Sequence, residues 1–330
     1  MSKLKKMFPT LSVNNSTSPL INIIFISEGF NQKKEFYNAC ENFIHELVLL
    51  PPFNIPKQLE SFVNIYSTFS PLSFSEETNG RNSISFETKK KFEKLNEFSK
   101  EIRLVTNEGE NLFLNDILNQ NMNNLSSYYL IIILFKNTLN VNSSSYLHKF
   151  NNPLINLIAL TNQNHWNLII IKQIGLILGL GDESYQINSE TPSNNMLKII
   201  EEKFPNLLTY NLISEFNLNS FWTEASAISS SVNLVHEIDE DLQNTRIYSN
   251  DKIEFWKGGG GWSEQILRSS KNCIMRGHFE FESSQVNNGK LMFCPVCENY
   301  LRNVIINYFK HKIPEKTMNP SSIINFNLTI

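Results

Sequence analysis

Residues 166–183 read WNLIIIKQIGLILGLGDE. From 166 to 180 the run is apolar except at Asn167, Lys172 and Gln173, which is long for a strand and suits a buried helix. Gly179 and Gly181 predict where the helix ends, because glycine accepts the left-handed backbone that closes a helix. An acidic turn, Asp182-Glu183, follows. The run is too short, and too interrupted by Lys172 and Gln173, to predict a membrane span.

The preceding segments supply a sheet for such a helix to pack on. Residues 20–27, LINIIFIS, are continuously apolar and predict a buried strand. In residues 33–50, Phe36, Cys40, Phe43, Ile44, Leu47 and Val48 recur at three- and four-residue spacing, which marks one face of a helix. Pro51-Pro52 stops that helix, since proline lacks an N–H and disfavours helix in the residue before it. Residues 62–67, 128–135 and 155–160 read as further strands, YYLIIILF at 128–135 being the strongest. Residues 71–85 read as polar loop, and 86–105 as a solvated helix carrying Phe92, Leu95, Phe98 and Ile102. Beyond Asp182 the periodicity weakens until a helix over 297–309. This order predicts an α/β (α+β) fold with a mixed sheet. The expected divisions are an N-terminal extension (1–19), an α/β subdomain (20–185) and a loop-rich C-terminal subdomain (186–330).

The chemistry of the chain is concentrated in residues 172–183. Zinc peptidases commonly carry His-Glu-x-x-His on a helix, then a glycine three residues on and a third ligand three further. Positions i and i+4 share a helix face and reach one metal, and the glutamate acts as base on the bound water. Here Lys172 stands at the first histidine, Gln173 at the glutamate and Leu176 at the second histidine, while Gly179 and Asp182 keep the glycine and the third ligand. An ammonium repels a dication, leucine offers no donor, and glutamine takes no proton from water. The expectation is a lost zinc site, with a Lys172–Asp182 ion pair standing where the metal stood.

Motifs along the chain extend this pattern. INIIFISEGF at 21–30 is followed by a helix, Pro52-Phe53 and the strand FVNIY; IGLILGLGDESY at 174–185 is followed by Phe204-Pro205-Asn206. A glycine run at 258–261 precedes Arg268-Ser269, Asn272-Cys273-Ile274-Met275-Arg276 and Phe293-Cys294-Pro295-Val296-Cys297. In this order the chain resembles the IgA metallopeptidase-like family of metzincin-type zinc peptidases. The resemblance implies a metzincin-like fold, with Met275 as the methionine turn beneath the metal site. The departures fall on the ligands and the base, so the expected function is that of a pseudopeptidase, with a retained cleft binding a peptide or protein. Gly260, Trp262 and Asp182 are expected to line that cleft, Trp262 as an aromatic wall or else as a core residue. The alternatives are an active hydrolase with unconventional ligands or a Lys172-centred mechanism, and a structural product without cleft function.

The remaining features narrow the classes. The net charge of −3, with no long run of one sign, gives no reason to expect nucleic acid or an anionic membrane surface as partner. Glycines 258–261 lack the lysine-serine ending of a phosphate loop. The start, MSKLKKMFPTLSVNNS, is basic without an apolar stretch, which favours the cytoplasm over the secretion common in the family. Four cysteines are too few for a disulfide scaffold. Cys273, Cys294 and Cys297 lie close enough in sequence to share a site: a structural zinc with His278 as fourth ligand, a disulfide, or free buried thiols. No cofactor is expected at the motif. His165 reads as a capping or core residue, and His236-Glu237-Ile238-Asp239 as a solvated acidic turn.

Overall fold

The computed structural model describes residues 5–8, 19–28, 30–69, 85–86, 104–105, 127–136, 145–149, 155–161, 166–185, 191–210, 220–223, 235–236, 253, 255–270, 272–277 and 292–312. The strands are β1 (Lys5–Phe8), β2 (Ile21–Glu28), β3 (Val63–Thr68), β4 (Ser85–Phe86), β5 (Leu104–Val105), β6 (Tyr128–Phe135), β7 (Ser145–Lys149), β8 (Ile155–Thr161), β9 (Leu207–Thr209), β10 (Val235–His236), β11 (Phe255–Gly259) and β12 (Trp262–Arg268). The helices are α1 (Lys33–Leu49), α2 (Pro56–Phe62), α3 (Trp166–Ile177), α4 (Asn194–Lys203) and α5 (Pro295–Lys312).

A six-stranded mixed sheet in the order β1-β3-β2-β6-β8-β7 forms the centre of the fold. Strands β3, β2, β6 and β8 run parallel, with β1 and β7 antiparallel at the edges. The apolar runs in β2 and β6 have the reason expected of parallel strands, which are covered on both faces. Ile21, Ile23, Ile24 and Phe25 of β2 and Leu130 to Leu134 of β6 are fully buried. Helix α1 turns Phe36, Cys40, Phe43 and Leu47 into the core. Phe25, Phe43 and Trp166 join β2, α1 and α3 through ring contacts of 5.4, 6.2 and 6.2 Å. Aromatic pairs at this spacing add to the area they bury.

A second sheet, β10-β11-β12-β9, is antiparallel except where β10 runs parallel to β11. Its presence, with α4, gives the C-terminal half more regular structure than its weak periodicity predicts, whereas α5 is the helix expected at 297–309. The strands there are short and one hairpin turns through glycines, which erases any period a sequence window could register. Two other expectations are corrected. Lys5–Phe8 pairs with β3, so part of the N-terminal extension belongs to the main sheet. Phe86 and Leu104-Val105, the ends of the expected solvated helix, pair as strands β4 and β5, and the residues between them lie outside those described. The polar segment 71–84 is also outside the described residues. No helix among the described residues is long and apolar enough to cross a membrane.

Candidate functional site

Helix α3 lies in the core through Trp166, Ile170, Ile171, Ile174 and Gly175. It closes through two backbone bonds, Leu180 N–H to Gly175 O at 3.0 Å and Gly179 N–H to Leu176 O at 3.1 Å. That pair of bonds, with Gly179 at φ 104°, is the Schellman closure. The Tyr300 hydroxyl donates to Leu178 O at 2.9 Å and occupies the space where a side chain at 179 would go. The chain then turns sharply, so that residues 182 and 183 return alongside the helix.

Lys172 and Asp182 meet as the sequence predicts. The Lys172 ammonium donates to Asp182 Oδ1 at 2.8 Å, with side-chain exposures of 12% and 40%. The same oxygen accepts the Ser184 N–H at 2.8 Å, and the Asp182 carbonyl accepts the Gly260 N–H. Gly277 leaves the ammonium room, since a Cβ there would sit 2.7 Å from Lys172 Nζ. Met275 lies beneath the helix: its Sδ occupies the space a side chain at Gly175 would need, and its carbonyl accepts the Glu183 N–H at 3.1 Å. Gln173 and Leu176 are half-buried on α3, Leu176 packing on the hydrophobic core. A zinc ion does not fit the motif positions, because Asp182 is the one donor of the template set and already holds an ammonium and an N–H.

The expected cleft residues are neighbours: a Cβ at Gly260 would meet the Trp262 ring at 3.3 Å. Gly260 is joined to Asp182 by the backbone bond above, whereas Trp262 packs on a small cluster of Leu197, Ile200, Leu207 and Ile266. The glycine run is the turn between β11 and β12 and runs beside the acidic turn, with Gly261 N–H donating to Ser184 O at 2.9 Å. A groove of about 320 Å³ lies elsewhere, between α1 and the start of α3, lined by Glu35, Asn42, His45 and Trp166 among others.

Glu183 faces away from Lys172, into a fully buried cluster. Its Oε1 accepts from Asn206 Nδ2 at 3.0 Å and from Cys297 Sγ at 3.1 Å, and lies 3.8 Å from Cys294 Sγ. Its Oε2 is buried and has no hydrogen-bond partner among the described residues. Asn206 is fixed in turn by Gly181, accepting its N–H at 2.6 Å and donating to its carbonyl at 3.0 Å. Cys273 Sγ lies 3.9 Å from Cys297 Sγ and accepts the Cys294 N–H at 3.3 Å, and the Ser269 hydroxyl donates to Cys294 Sγ at 3.0 Å. The ligand atoms of Glu183, Cys273, Cys294 and Cys297 all lie within 4.8 Å of one another. All four cysteines of the chain are free and buried, so the disulfide expectation is not met.

Helix α5 supplies two of the thiols. The Glu298 N–H donates to the Cys294 carbonyl, which makes Cys294 the cap residue, with Pro295 at the first helical position and Cys297 in the first turn. The positive end of the helix favours a thiolate there. Burial opposes ionisation of every group in the cluster. It pushes the Glu183 carboxyl up to about 8, the Cys294 charge adding to the effect; hydrogen bonds from Asn206 and Cys297 and the Arg268 charge act the other way without overcoming it. Burial also raises Cys273 and Cys297. At Cys294 burial is outweighed by hydrogen bonds from Cys273, Cys297 and Ser269, and its thiol is held well below the usual range. Arg268, fully buried, spans the site from β12: it donates to the Lys257 and Gly258 carbonyls and lies 5.1 Å over the Tyr185 ring.

The cysteine signature thus converges as its spacing predicts, but among the described residues the fourth donor is Glu183. His278 and His165 lie outside those residues, as do Glu237 to Asp239; His236 belongs to β10. Ninety residues separate Glu183 from Cys273, so no spacing pattern joins them. The available signal was an acidic residue directly after an apolar, glycine-containing segment. No protein-family model matches the chain, and no curated protein matches it in sequence.

Proposed function

We propose that the chain is a pseudopeptidase related to the IgA metallopeptidase-like family, a non-hydrolytic scaffold that binds a peptide or protein. The observation that carries this reading is the Lys172–Asp182 ion pair at 2.8 Å. It puts a fixed ammonium beside the one donor left from the zinc template, on a helix closed at Gly179 and floored by Met275. Gln173 and Leu176 add neither a base nor a ligand. Of the hydrolase alternatives, the Lys172-centred one would need Lys172 as a base, and Asp182 instead engages it in an ion pair.

The test is incubation of the purified chain with a broad peptide library, with and without added zinc. The expected result is retention of a subset of peptides and cleavage of none. Cleavage that is abolished both by a chelator and by Asp182→Asn would overturn the reading.

A further inference from the structure

We propose that Cys273, Cys294, Cys297 and Glu183 form a closed structural zinc site that ties the acidic turn after α3 to the segment around Ile274–Arg276 and to the first turn of α5. The proposal stands on residues separate from the ion pair and does not depend on the pseudopeptidase reading.

The geometry fits a tetrahedral ion. Zinc–thiolate bonds of about 2.3 Å in tetrahedral arrangement place two sulfurs about 3.8 Å apart. The Cys273 and Cys297 sulfurs are 3.9 Å apart, and Cys294 Sγ lies 3.8 Å from Glu183 Oε1. Cys294 and Cys297 form a Cys-x-x-Cys half-site on the helix end that favours thiolates. Three of the four donors are oriented by a further bond: Ser269 on Cys294, the Cys294 N–H on Cys273, and Asn206 on Glu183. Such outer contacts hold ligands in place. Glu183 Oε2 is the strongest single indication, a fully buried carboxylate oxygen without a hydrogen-bond partner among the described residues. A cation bound to this carboxylate would compensate a group that burial otherwise leaves costly.

The chemical class follows from the donors. Three sulfurs select a thiophilic ion, and a mixed thiolate and carboxylate set in tetrahedral order suits zinc, which has no redox change and no geometric preference of its own. Three thiolates and one carboxylate exceed the charge of the ion by two, and the buried Arg268 guanidinium offsets part of the excess. Four protein donors leave no open position, so the site is structural rather than catalytic. A Cys273–Cys297 disulfide is the competing use of these thiols. Closing 3.9 Å to a bond of about 2.05 Å would draw Cys297 from Glu183 and leave the buried carboxylate with fewer partners.

The deciding experiment purifies the full chain under reducing conditions, measures its metal content and records X-ray absorption at the zinc edge. The expected result is one zinc per chain with three sulfur neighbours and a carboxylate oxygen. Zinc-free protein that also takes up none on refolding, a shell of nitrogen and oxygen only, or a Cys273–Cys297 disulfide in the mass spectrum would each overturn the proposal. Glu183→Gln, close in size, is expected to fold and to lose zinc affinity by about 10–100-fold in competition with a chromophoric chelator; unchanged affinity would remove Glu183 from the site. Cys297→Ser is expected to lose stoichiometric zinc. Because that variant can fail to fold, cobalt(II) reconstitution of the unaltered chain gives an independent reading: a thiolate-to-cobalt charge-transfer band supports the site, and its absence overturns it.

Discussion

Asp182 and Glu183 are adjacent carboxylates with opposite environments. The Asp182 side chain is 40% exposed and meets an ammonium at 2.8 Å, while Glu183 is fully buried and faces three thiols. Water reaches the first on its carboxylate side although the Lys172 side chain is only 12% exposed, so its ion pair is a partly screened local cross-link of modest energy. The second has no water, and whatever compensates its charge must be built into the fold. A turn that inverts the direction of successive side chains therefore places a weak contact and a strong constraint one residue apart.

The largest test of that contrast is Arg268→Met. It removes a buried cation that holds the Lys257 and Gly258 carbonyls and acts on Glu183. Breaking such an arrangement on one side costs about 3–5 kcal/mol, read by denaturant unfolding. A loss below about 1 kcal/mol would mean that the buried cluster is no more constrained than the surface pair. Stripping metal with a chelator in mild denaturant comes next. It is expected to lower the melting temperature of the unaltered chain and to lower that of Glu183→Gln by less, because stabilisation by a bound ion falls with the logarithm of its affinity.

Gly179→Ala probes the turn shared by both residues. A left-handed backbone and the adjacent Tyr300 hydroxyl oppose any Cβ, and the expected cost is about 1–2 kcal/mol. The smallest effect belongs to the ion pair. Lys172→Met is expected to cost about 1 kcal/mol or less, and a double-mutant cycle with Asp182→Asn isolates the pair. A coupling above about 3 kcal/mol would show that Asp182 is as constrained as its neighbour. The triple change Lys172→His, Gln173→Glu and Leu176→His sharpens the comparison further. Zinc with nitrogen and oxygen neighbours, gained without loss of the sulfur-bound ion, would separate the two sites directly.

Much of the N-terminal half was legible because its signals are local. The apolar runs of β2 and β6 report burial on both faces of a parallel sheet, and the spacing of Phe36, Cys40, Phe43 and Leu47 reports one helix face. The glycine after α3 reports a backbone conformation that side chains resist. The second sheet was not legible, since β9 has three residues and β10 two. Within the site, Lys172 and Asp182 are ten residues apart, and helix geometry with a known closure brings them together. Trp262, beside the glycine run, reads from the sequence either as an aromatic wall or as core. Its contacts with Ile200 and Leu207 come from α4 and β9, elements with faint sequence signals.

The sequence alone determined the helix of residues 166–177, its closure at Gly179, the absence of histidine ligands on it, and the gathering of cysteines near the C-terminus. These depend on neighbours within a few turns. Only the tertiary structure decided that Glu183 turns inward, that Asn206 fixes it, and that Cys273, Cys294 and Cys297 surround it. Its chemistry is set by desolvation, which depends on every segment packed around the carboxylate and is written in no one stretch of the chain.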